Sequence, residues 1–225
     1  MNQKDLRPAK DFAINFGCKA VVYGPAGSGK TPLINTCPRP VMLACEPGML
    51  SMRGSSVPTW QAQTPEQIND FFKWFFNSEE TKNFDTLAID STSHMAEIYL
   101  QAALKTNKHG LAAYGEMATE TLKHLNTLYY TRYKHTYLIA KQEIITENGL
   151  TLKRPYYPGR QLLVELPHKF DQILQLDIQN VPGVGQTRAF RCQGSIDVLA
   201  RDRTGMLAEF EEPHFGKLIA KCLST

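Results

Sequence analysis

The residues with the clearest chemistry lie in one short segment, residues 24–31, which reads GPAGSGKT. An apolar strand is predicted over residues 19–23, directly before this segment, and a helix is predicted directly after it. The glycines let successive backbone N–H groups point at phosphate oxygens, and the helix N-terminus adds partial positive charge. Lys30 is expected to reach the β- and γ-phosphates of a nucleotide, and Thr31 to bind Mg²⁺. The predicted nucleotide-binding residues of this phosphate-binding loop (P-loop) are Gly24, Pro25, Ala26, Gly27, Ser28, Gly29, Lys30 and Thr31.

The residue that follows the loop is unusual. Pro32 has no backbone N–H, at a position where such loops commonly donate to the α-phosphate. Proline is tolerated in a first helical turn, so the helix is still expected. Losing one charge-assisted hydrogen bond costs about 1.5–3 kcal/mol. We therefore predict weaker and more base-tolerant nucleotide binding.

A second chemical signal is the carboxylate that ends an apolar strand predicted over residues 84–90. A strand of this kind beside the P-loop strand places Asp90 where it can hold Mg²⁺, usually through water. The alternative is an aspartate that only caps the following helix. The P-loop earlier in the chain favours the magnesium role, and Ser91 is expected to assist with a hydrogen bond.

The elements around these residues alternate between strands and helices. This order predicts an α/β fold with a mainly parallel, twisted sheet flanked by helices and with antiparallel strands added near the C-terminus. Strands are predicted over residues 19–23, 40–45, 84–90, 136–140, 169–178, 187–200 and 206–211, with a hairpin over 143–153. Helices are predicted over residues 64–78, 94–106 and 116–134. One domain, residues 18–225, is expected to follow an N-terminal arm, residues 1–17.

Composition limits the location and the partners. No apolar run approaches the ~20 residues that span a bilayer, and the polar N-terminus has no apolar core. We therefore expect a cytoplasmic protein with no membrane partner. Five widely spaced cysteines without a C-x-x-C pair indicate unpaired thiols. The net charge of +3 is too small to indicate nucleic-acid binding by itself.

Several segments, taken in their order, resemble the motifs of RecA-like ATPases, the family that includes the DnaB helicases. These segments are VMLACEPG with Glu46, FDTLAIDSTSHM with Asp90 and Ser91, TYLIAKQE before and at Gln142, and ARDRTG with Arg201 and Arg203. The pattern, over about residues 18–215, looks most like the small RecA-like ATPases of bacteriophages that are linked to single-strand annealing and recombination. The first basic position is often lysine in such proteins and is Arg201 here, which changes its reach and hydrogen-bond geometry.

The resemblance implies a role for each of these side chains at a site for ATP and Mg²⁺. Glu46 would orient and deprotonate the attacking water, and Gln142 would sense the γ-phosphate. Arg203, with Arg201 as its partner, would reach into the ATP site of a neighbouring subunit and stabilise the transition state. The alternatives are a glutamate in a surface turn, a polar residue at a strand end and a solvated, charged hairpin.

Assembly and DNA binding also follow from the resemblance. It implies a homo-oligomer, a ring or a filament, that acts on single-stranded DNA, with a single-strand-binding protein as a further partner. The isolated monomer is then expected to hydrolyse ATP poorly. In the N-terminal arm, Phe12, Ile14 and Phe16 alternate, as in an edge strand or in a segment that docks on a neighbouring subunit.

By analogy with RecA-like proteins, the loops after the third and fourth core strands, roughly residues 106–115 and 143–160, are expected to face DNA. Basic residues beside aromatic ones suit single strands, because they combine phosphate attraction with base stacking. The predicted DNA-contacting residues are Lys153, Arg154, Tyr156, Tyr157 and Arg160. The alternative is a folded turn whose tyrosines pack on the core.

The leading interpretation is an ATP-hydrolysing RecA-like protein that acts on single-stranded DNA in phage recombination or annealing. One alternative is a non-catalytic nucleotide switch, such as a helicase-loader-like accessory protein, which the weak nucleotide binding expected from Pro32 would suit. Another is a small P-loop kinase that phosphorylates a metabolite. The kinase is disfavoured because the sequence has no evident arginine-rich lid and gives the ARDRTG segment no role there.

Overall fold

A computed structural model of the chain describes Pro8, residues 16–147 and residues 149–224. The strands within these residues are β1 (Lys19–Gly24), β2 (Pro40–Ala44), β3 (Thr59–Gln61), β4 (Thr86–Asp90), β5 (His135–Glu147), β6 (Leu150–Tyr156), β7 (Gln172–Val181), β8 (Gly185–Arg191), β9 (Arg201–Asp202) and β10 (Phe210–Glu211). The α-helices are α1 (Pro65–Asn77), α2 (Thr92–Thr106), α3 (Gly110–Tyr130), α4 (Arg160–Lys169) and α5 (Phe215–Cys222).

These strands form one sheet in the order β10–β8–β7–β1–β5–β4–β2–β3, with β6 paired to β5 and β9 paired to β7. From β7 to β3, neighbours along this path are parallel. Strands β6, β8, β9 and β10 are antiparallel to their partners. Parallel neighbours need long crossover connections, which helices supply. The predicted α/β fold, mainly parallel with antiparallel strands towards the C-terminus, is confirmed.

Apolar side chains cover both faces of the sheet. Along β1, Val21 and Tyr23 face one core, while Ala20 and Val22 face the other, because successive side chains of a strand point to opposite faces. The larger core lies beneath α1, α2, α3 and α4, and the smaller one beneath α5. The central strands are therefore buried on both sides, which explains their nearly continuous apolar sequences.

Two helices begin where the local sequence places a capping side chain. Thr64 accepts a hydrogen bond from the backbone N–H of Gln67 at the start of α1, and Pro65 occupies the first turn. Ser91 accepts from the N–H of His94 at the start of α2. The residue directly after Asp90 therefore fixes the direction in which the chain leaves the end of β4.

The helix predicted after the P-loop is wrong in type and length. Residues Pro32–Thr36 form a short 3₁₀ helix, and Cys37 is extended, with ψ at 144°. Proline disfavours the helical conformation of the residue before it, so Pro38 stops the helix at this point. A 3₁₀ helix of one or two turns carries little of the dipole of a long α-helix. An anion at this loop would therefore depend on the backbone N–H groups of the loop and on its one cationic side chain, Lys30.

Several other elements differ from the predicted ones. Helix α3 begins at Gly110 rather than at residue 116, so most of the 106–115 segment, expected as a DNA-facing loop, is helical. Strand β8 ends at Arg191, well before residue 200. The sequence analysis missed β3, α4 and α5. Pro167 lies inside α4, and an internal proline weakens a helical sequence pattern.

Some predictions concern residues outside the described part of the chain. These are Asn148, in the middle of the hairpin predicted over residues 143–153, and the arm residues Phe12 and Ile14. The Phe16 ring lies 5.6 Å from the guanidinium carbon of Arg132, a cation–π contact.

All five cysteines are buried and unpaired, as predicted. Among the described residues, no helix is long and apolar enough to cross a membrane.

A buried histidine joins the helices of the larger core. The His124 ring of α3 stacks on Phe72 of α1, with centroids 4.1 Å apart. Its Nε2 lies 2.9 Å from the Tyr99 hydroxyl of α2 and 2.9 Å from Oδ1 of Asn69. Burial lowers the pKa of His124 from 6.5 to about 4. The folded state therefore holds this ring neutral at a pH where the unfolded chain protonates it.

We predict that His124→Gln reduces the acid sensitivity of the fold. With the folded pKa below the unfolded one, stability is retained above pH 6.5 and lost as the pH falls towards 4, by about 3 kcal/mol for this residue. Urea unfolding at pH 7 and pH 4 measures the difference for wild type and variant. His109→Gln, at an exposed histidine, should leave the wild-type difference unchanged. Equal pH dependence in wild type and His124→Gln would contradict the assignment.

Candidate nucleotide-binding site

The P-loop follows β1 at the carboxyl edge of the parallel strands. A β-carbon at Gly24 would lie 2.1 Å from the carbonyl oxygen of Leu176 on β7, so only glycine fits this close approach of two strands. Gly29 has a φ of +90°, a backbone angle that residues other than glycine rarely adopt. These two positions fix where the loop starts and how it turns back towards Lys30.

The Lys30 ammonium lies inside the loop. Its Nζ donates to the carbonyl oxygens of Gly24 and Pro25, both at 2.8 Å, and lies 3.4 Å from the Ser28 hydroxyl. Burial lowers the pKa of Lys30, opposed by the negative charges of Asp90 and, less strongly, Glu46. A desolvated cation held only by neutral oxygens binds an incoming phosphate strongly, because the phosphate restores a full counter-charge.

Thr31 and Asp90 meet across the site. The Thr31 hydroxyl donates to Oδ2 of Asp90 at 2.6 Å. Burial raises the pKa of Asp90, while the Thr31 hydrogen bond lowers it and Glu46 raises it again. Hydroxyl and carboxylate oxygens are the hard ligands that Mg²⁺ prefers, and a cation would relieve the cost of burying this carboxylate. The donor set therefore fits Mg²⁺, as the sequence predicts.

Glu46 is held next to Asp90 by the sheet and by a serine. The backbone N–H groups of Cys45 and Glu46 donate to the carbonyl oxygen of Asp90 at 2.7 and 3.1 Å. The Ser91 hydroxyl donates to Oε1 of Glu46 at 2.6 Å. This contact leaves Oε2 of Glu46 for another hydrogen bond. The predicted supporting role of Ser91 is therefore directed at Glu46 and not at Asp90.

Gln142 lies on β5, one residue beyond the Gly24–Lys141 pair that ends the parallel contact with β1. Its Oε1 accepts a hydrogen bond of 3.0 Å from Nε2 of Gln175 on β7. From Lys141 onwards β5 pairs with β6 instead, so Gln142 lies where the strand leaves the core sheet. Gln142 therefore lines the site and also lies at the start of the β5–β6 hairpin.

One cavity of about 700 Å³ brings these side chains together. Its lining contains Lys30, Thr31, Glu46, Asp90 and Gln142. The sequence analysis missed five further lining residues, Ser51, Ile139, Ala140, Lys141 and Arg188. Lys141 directly follows the strand predicted over residues 136–140, so its position at a strand end could have identified it from the sequence. Arg188 belongs to no motif, and only the hairpin formed by β7 and β8 brings it here.

Arg201 and Arg203 lie at the other end of the sheet. Strand β9 pairs with the first residues of β7, at Gln172 and Ile173, far along the strand from the P-loop. The Arg201 guanidinium donates to the carbonyl oxygens of Pro167 and Phe170 at the end of α4.

Arg203 is held less firmly. Its guanidinium donates to the carbonyl oxygen of His168 at 2.7 Å and lies 3.6 Å from Asp171, and its side chain is 36% exposed. Since both arginines lie at the opposite edge of the sheet, neither contributes to the nucleotide site of its own subunit.

The predicted DNA-contacting residues divide into buried and exposed ones. Tyr157 is only 3% exposed, and its hydroxyl lies 2.9 Å from the Thr92 hydroxyl, so its prediction is corrected: the ring packs in the core and offers no face to a base. Arg154 is half-buried and pairs with Glu143 at 2.7 Å. Lys153 and Tyr156 are partly exposed, and Arg160 is exposed at the start of α4.

Comparison with known proteins agrees with this site. A family model described as an AAA domain matches residues 17–204. The chain belongs to this AAA domain family. In this chain the carboxylate next to Asp90 is Glu46, which follows β2, and the residue after Asp90 is Ser91. No curated protein sequence matches the chain.

One solved structure shows a distant similarity. It is the crystal structure of a KaiC-like protein from the hyperthermophilic archaeon Pyrococcus horikoshii, with a TM-score of 0.46 and 15% identity. The match covers 81% of this chain and 83% of that chain. The family membership and the site geometry together, and not this similarity, indicate a nucleotide-binding domain of the P-loop ATPase type.

Removing the buried charge of Asp90 should stabilise the protein and impair its site. The raised pKa of Asp90 means that folding is penalised at neutral pH, where the carboxylate is charged, and not at acidic pH, where it is protonated in both states. Asp90→Asn should therefore raise the melting temperature without ligand at pH 7 and lose Mg²⁺-dependent nucleotide binding. Asp85→Asn, at the other end of β4, is the control.

The pKa of Asp85 is shifted in the opposite direction from that of Asp90. The hydrogen bonds from Arg39 lower the pKa of Asp85, so its neutral replacement should leave the melting temperature unchanged or lower it slightly. Differential scanning fluorimetry at pH 7 and pH 4 measures both variants. An Asp90→Asn protein that melts below wild type at pH 7 would contradict the burial penalty.

Proposed function

We propose that this AAA domain protein binds and hydrolyses ATP with Mg²⁺ in an assembly of identical RecA-like subunits, and that the assembly acts on single-stranded DNA. The observation that supports this proposal best is the convergence of Lys30, the Thr31–Asp90 pair and Glu46 in one cavity. A phosphate-binding cation, two magnesium ligands and a general base are the groups that phosphoryl transfer to water requires.

Each group has a defined task in hydrolysis. The loop N–H groups and Lys30 bind the β- and γ-phosphates, and Thr31 and Asp90 hold Mg²⁺. When bound, Mg²⁺ neutralises developing charge on the phosphate oxygens. Glu46 accepts the hydrogen bond of the attacking water through the carboxylate oxygen that Ser91 leaves free. Removing this base while keeping the shape of the side chain should slow hydrolysis without preventing ATP binding.

Gln142 couples the γ-phosphate to the rest of the chain. It lies between Gln175 on β7 and the β5–β6 hairpin, so a hydrogen bond to phosphate would compete with the Gln175 contact of 3.0 Å. A change in this contact would shift the hairpin, because Gln142 pairs directly with Pro155 of β6. The hairpin carries Lys153, which is partly exposed. Nucleotide state would in this way be transmitted to a surface suited to DNA.

The arginine fingers act between subunits in this proposal. Arg203 and Arg201 lie at the opposite end of the sheet from their own P-loop, so they reach a nucleotide only on a neighbouring subunit. Arg203 is the better finger, because it is more exposed and is held by one carbonyl and a loose ion pair. Arg201 is anchored to two carbonyl oxygens and positions the segment. A ring or a filament satisfies this geometry.

The biological setting is proposed from the sequence resemblance to phage ATPases of single-strand annealing and recombination. Lys153, Arg154, Tyr156 and Arg160 remain at least partly exposed, and Arg154 is paired with Glu143. They provide charge for phosphates and one aromatic ring for stacking. A single-strand-binding protein is the further partner expected in that setting.

The second candidate function is a nucleotide switch without turnover. Pro32 lacks a backbone donor and is followed by only a short 3₁₀ helix, which weakens the anion site. A protein that binds ATP weakly and changes the β5–β6 hairpin would suit a helicase-loader-like accessory role. In that case Glu46 would have no catalytic task.

Steady-state ATP hydrolysis, with and without single-stranded DNA and over a range of protein concentrations, tests the proposal. Turnover per subunit should rise with both, because the site is completed by a neighbour assembled on DNA. Glu46→Gln should reduce kcat at least 100-fold with ATP affinity unchanged. Glu143→Gln, at a glutamate paired with Arg154, is the matched control and should keep wild-type turnover. ATP binding without any hydrolysis would favour the switch.

The position of Arg203 predicts complementation between subunits. Arg203→Ala should reduce kcat about 10³-fold, the loss typical of a missing arginine finger, while ATP binding stays within twofold of wild type. Lys30→Ala should lose ATP binding. Mixing the two variants should restore part of the activity, because some interfaces then join an intact P-loop to an intact finger. Mixtures as inactive as the separate variants would exclude a finger supplied by a neighbour.

A further inference from the structure

The hairpin formed by β7 and β8 carries an arginine to the P-loop of its own subunit. Strand β7 runs parallel to β1 as far as the Tyr23–Gln175 pair and then continues beyond it. Arg188 of β8 pairs with Ile178 on this extension. A β-carbon at Gly29 would lie 3.0 Å from Nη1 and 3.3 Å from Cζ of Arg188. The guanidinium therefore lies directly against the loop, and the lack of a side chain at Gly29 makes the approach possible.

Arg188 differs from the other arginines near the sheet in having no structural partner. Arg191, on the same strand, lies 3.4 Å from Glu209, and Arg154 lies 2.7 Å from Glu143. Among the described residues, no carboxylate lies within ion-pair distance of Arg188, and none accepts a hydrogen bond from it. The fold thus places an exposed guanidinium at the cavity without using it to hold the hairpin.

The chemistry of this position favours phosphate. A guanidinium is permanently charged and offers paired donors that match two phosphate oxygens, which a single ammonium does not. The cavity contains the carboxylates Glu46 and Asp90 and the cations Lys30 and Lys141, so without Arg188 these groups leave no excess positive charge. The Lys141 ammonium is also paired with Glu97 at 2.7 Å. Pro32 removes one backbone donor that such loops commonly supply. The unpaired guanidinium of Arg188 offsets both deficits.

We propose that Arg188 binds the phosphate chain of the nucleotide in the site of its own subunit. This inference rests on the proposed function, since it assigns a further ligand of the same ATP site. Arg188 acts in binding, whereas Arg203 acts in the transition state at a neighbouring subunit. The β7–β8 hairpin then serves as one wall of the site, and its arginine selects ligands by the number of phosphates.

Equilibrium titration of fluorescent ATP, ADP and AMP analogues with Mg²⁺ tests this assignment without relying on turnover. Arg188→Ala should weaken ATP binding roughly 10- to 100-fold, the effect of losing charge-assisted hydrogen bonds, and should weaken AMP binding much less. Arg188→Lys should recover part of the affinity. Arg191→Ala removes the same charge from the same strand at a residue outside the cavity and should stay within twofold of wild type. Thermal melting of each variant confirms that it is folded.

Two outcomes separate this inference from the function on which it rests. If wild type and Lys30→Ala both fail to bind any nucleotide, the proposed function itself is wrong. If Lys30→Ala abolishes binding while folded Arg188→Ala binds ATP within twofold of wild type, the ATP site stands and the role of Arg188 is overturned. An equal loss for ATP and AMP would also overturn it, because the contact would then not involve the phosphate chain.

Discussion

The parallel register of β1, β5, β4 and β2 is the constraint on which the site depends. Gly24 pairs with Lys141, Ile89 with Leu138 and Ala44 with Asp90, so β1, β4 and β2 end close to one another, near the point where the parallel part of β5 ends. Loops that leave this edge then converge, and side chains distant in sequence meet within hydrogen-bond distance. A slip of one residue would turn each strand over and move apolar side chains from one core into the other. Packing of the two cores therefore fixes the register of the strands, and the register fixes the relative positions of the site residues.

The site also carries an energetic cost that the cores must offset. Lys30 and Asp90 are both largely withdrawn from water, and burial shifts the pKa of each towards its neutral form. Buried charges of this kind lower stability and are retained where function needs them. In the proposed function a phosphate with its metal ion would satisfy both charges, so binding would offset part of this cost. Binding and folding would then be linked through the same two side chains.

The cations of the proposed mechanism come from different parts of the fold. Lys30 is supplied by the loop and Arg188 by the β7–β8 hairpin beside it, whereas Arg203 lies at the far edge of the sheet. In that mechanism one subunit would bind a nucleotide alone, and hydrolysis would need a neighbour. Pro32 lacks a backbone donor and begins a 3₁₀ helix in place of a long α-helix, so the proposed mechanism relies more on side-chain cations than it would in a loop that leads into a long helix.

The sequence by itself determined the P-loop and the strands that surround it, and it named Thr31 and Asp90 as the residues expected to hold Mg²⁺, because these features are set by local residue types and by strands that end in a carboxylate. It also determined the start of α1, through the capping threonine. Only the tertiary structure decided that the Thr31 hydroxyl contacts Asp90, that Tyr157 is buried and that Arg188 lies against Gly29. These outcomes depend on how distant strands pair and pack, and no short segment encodes that.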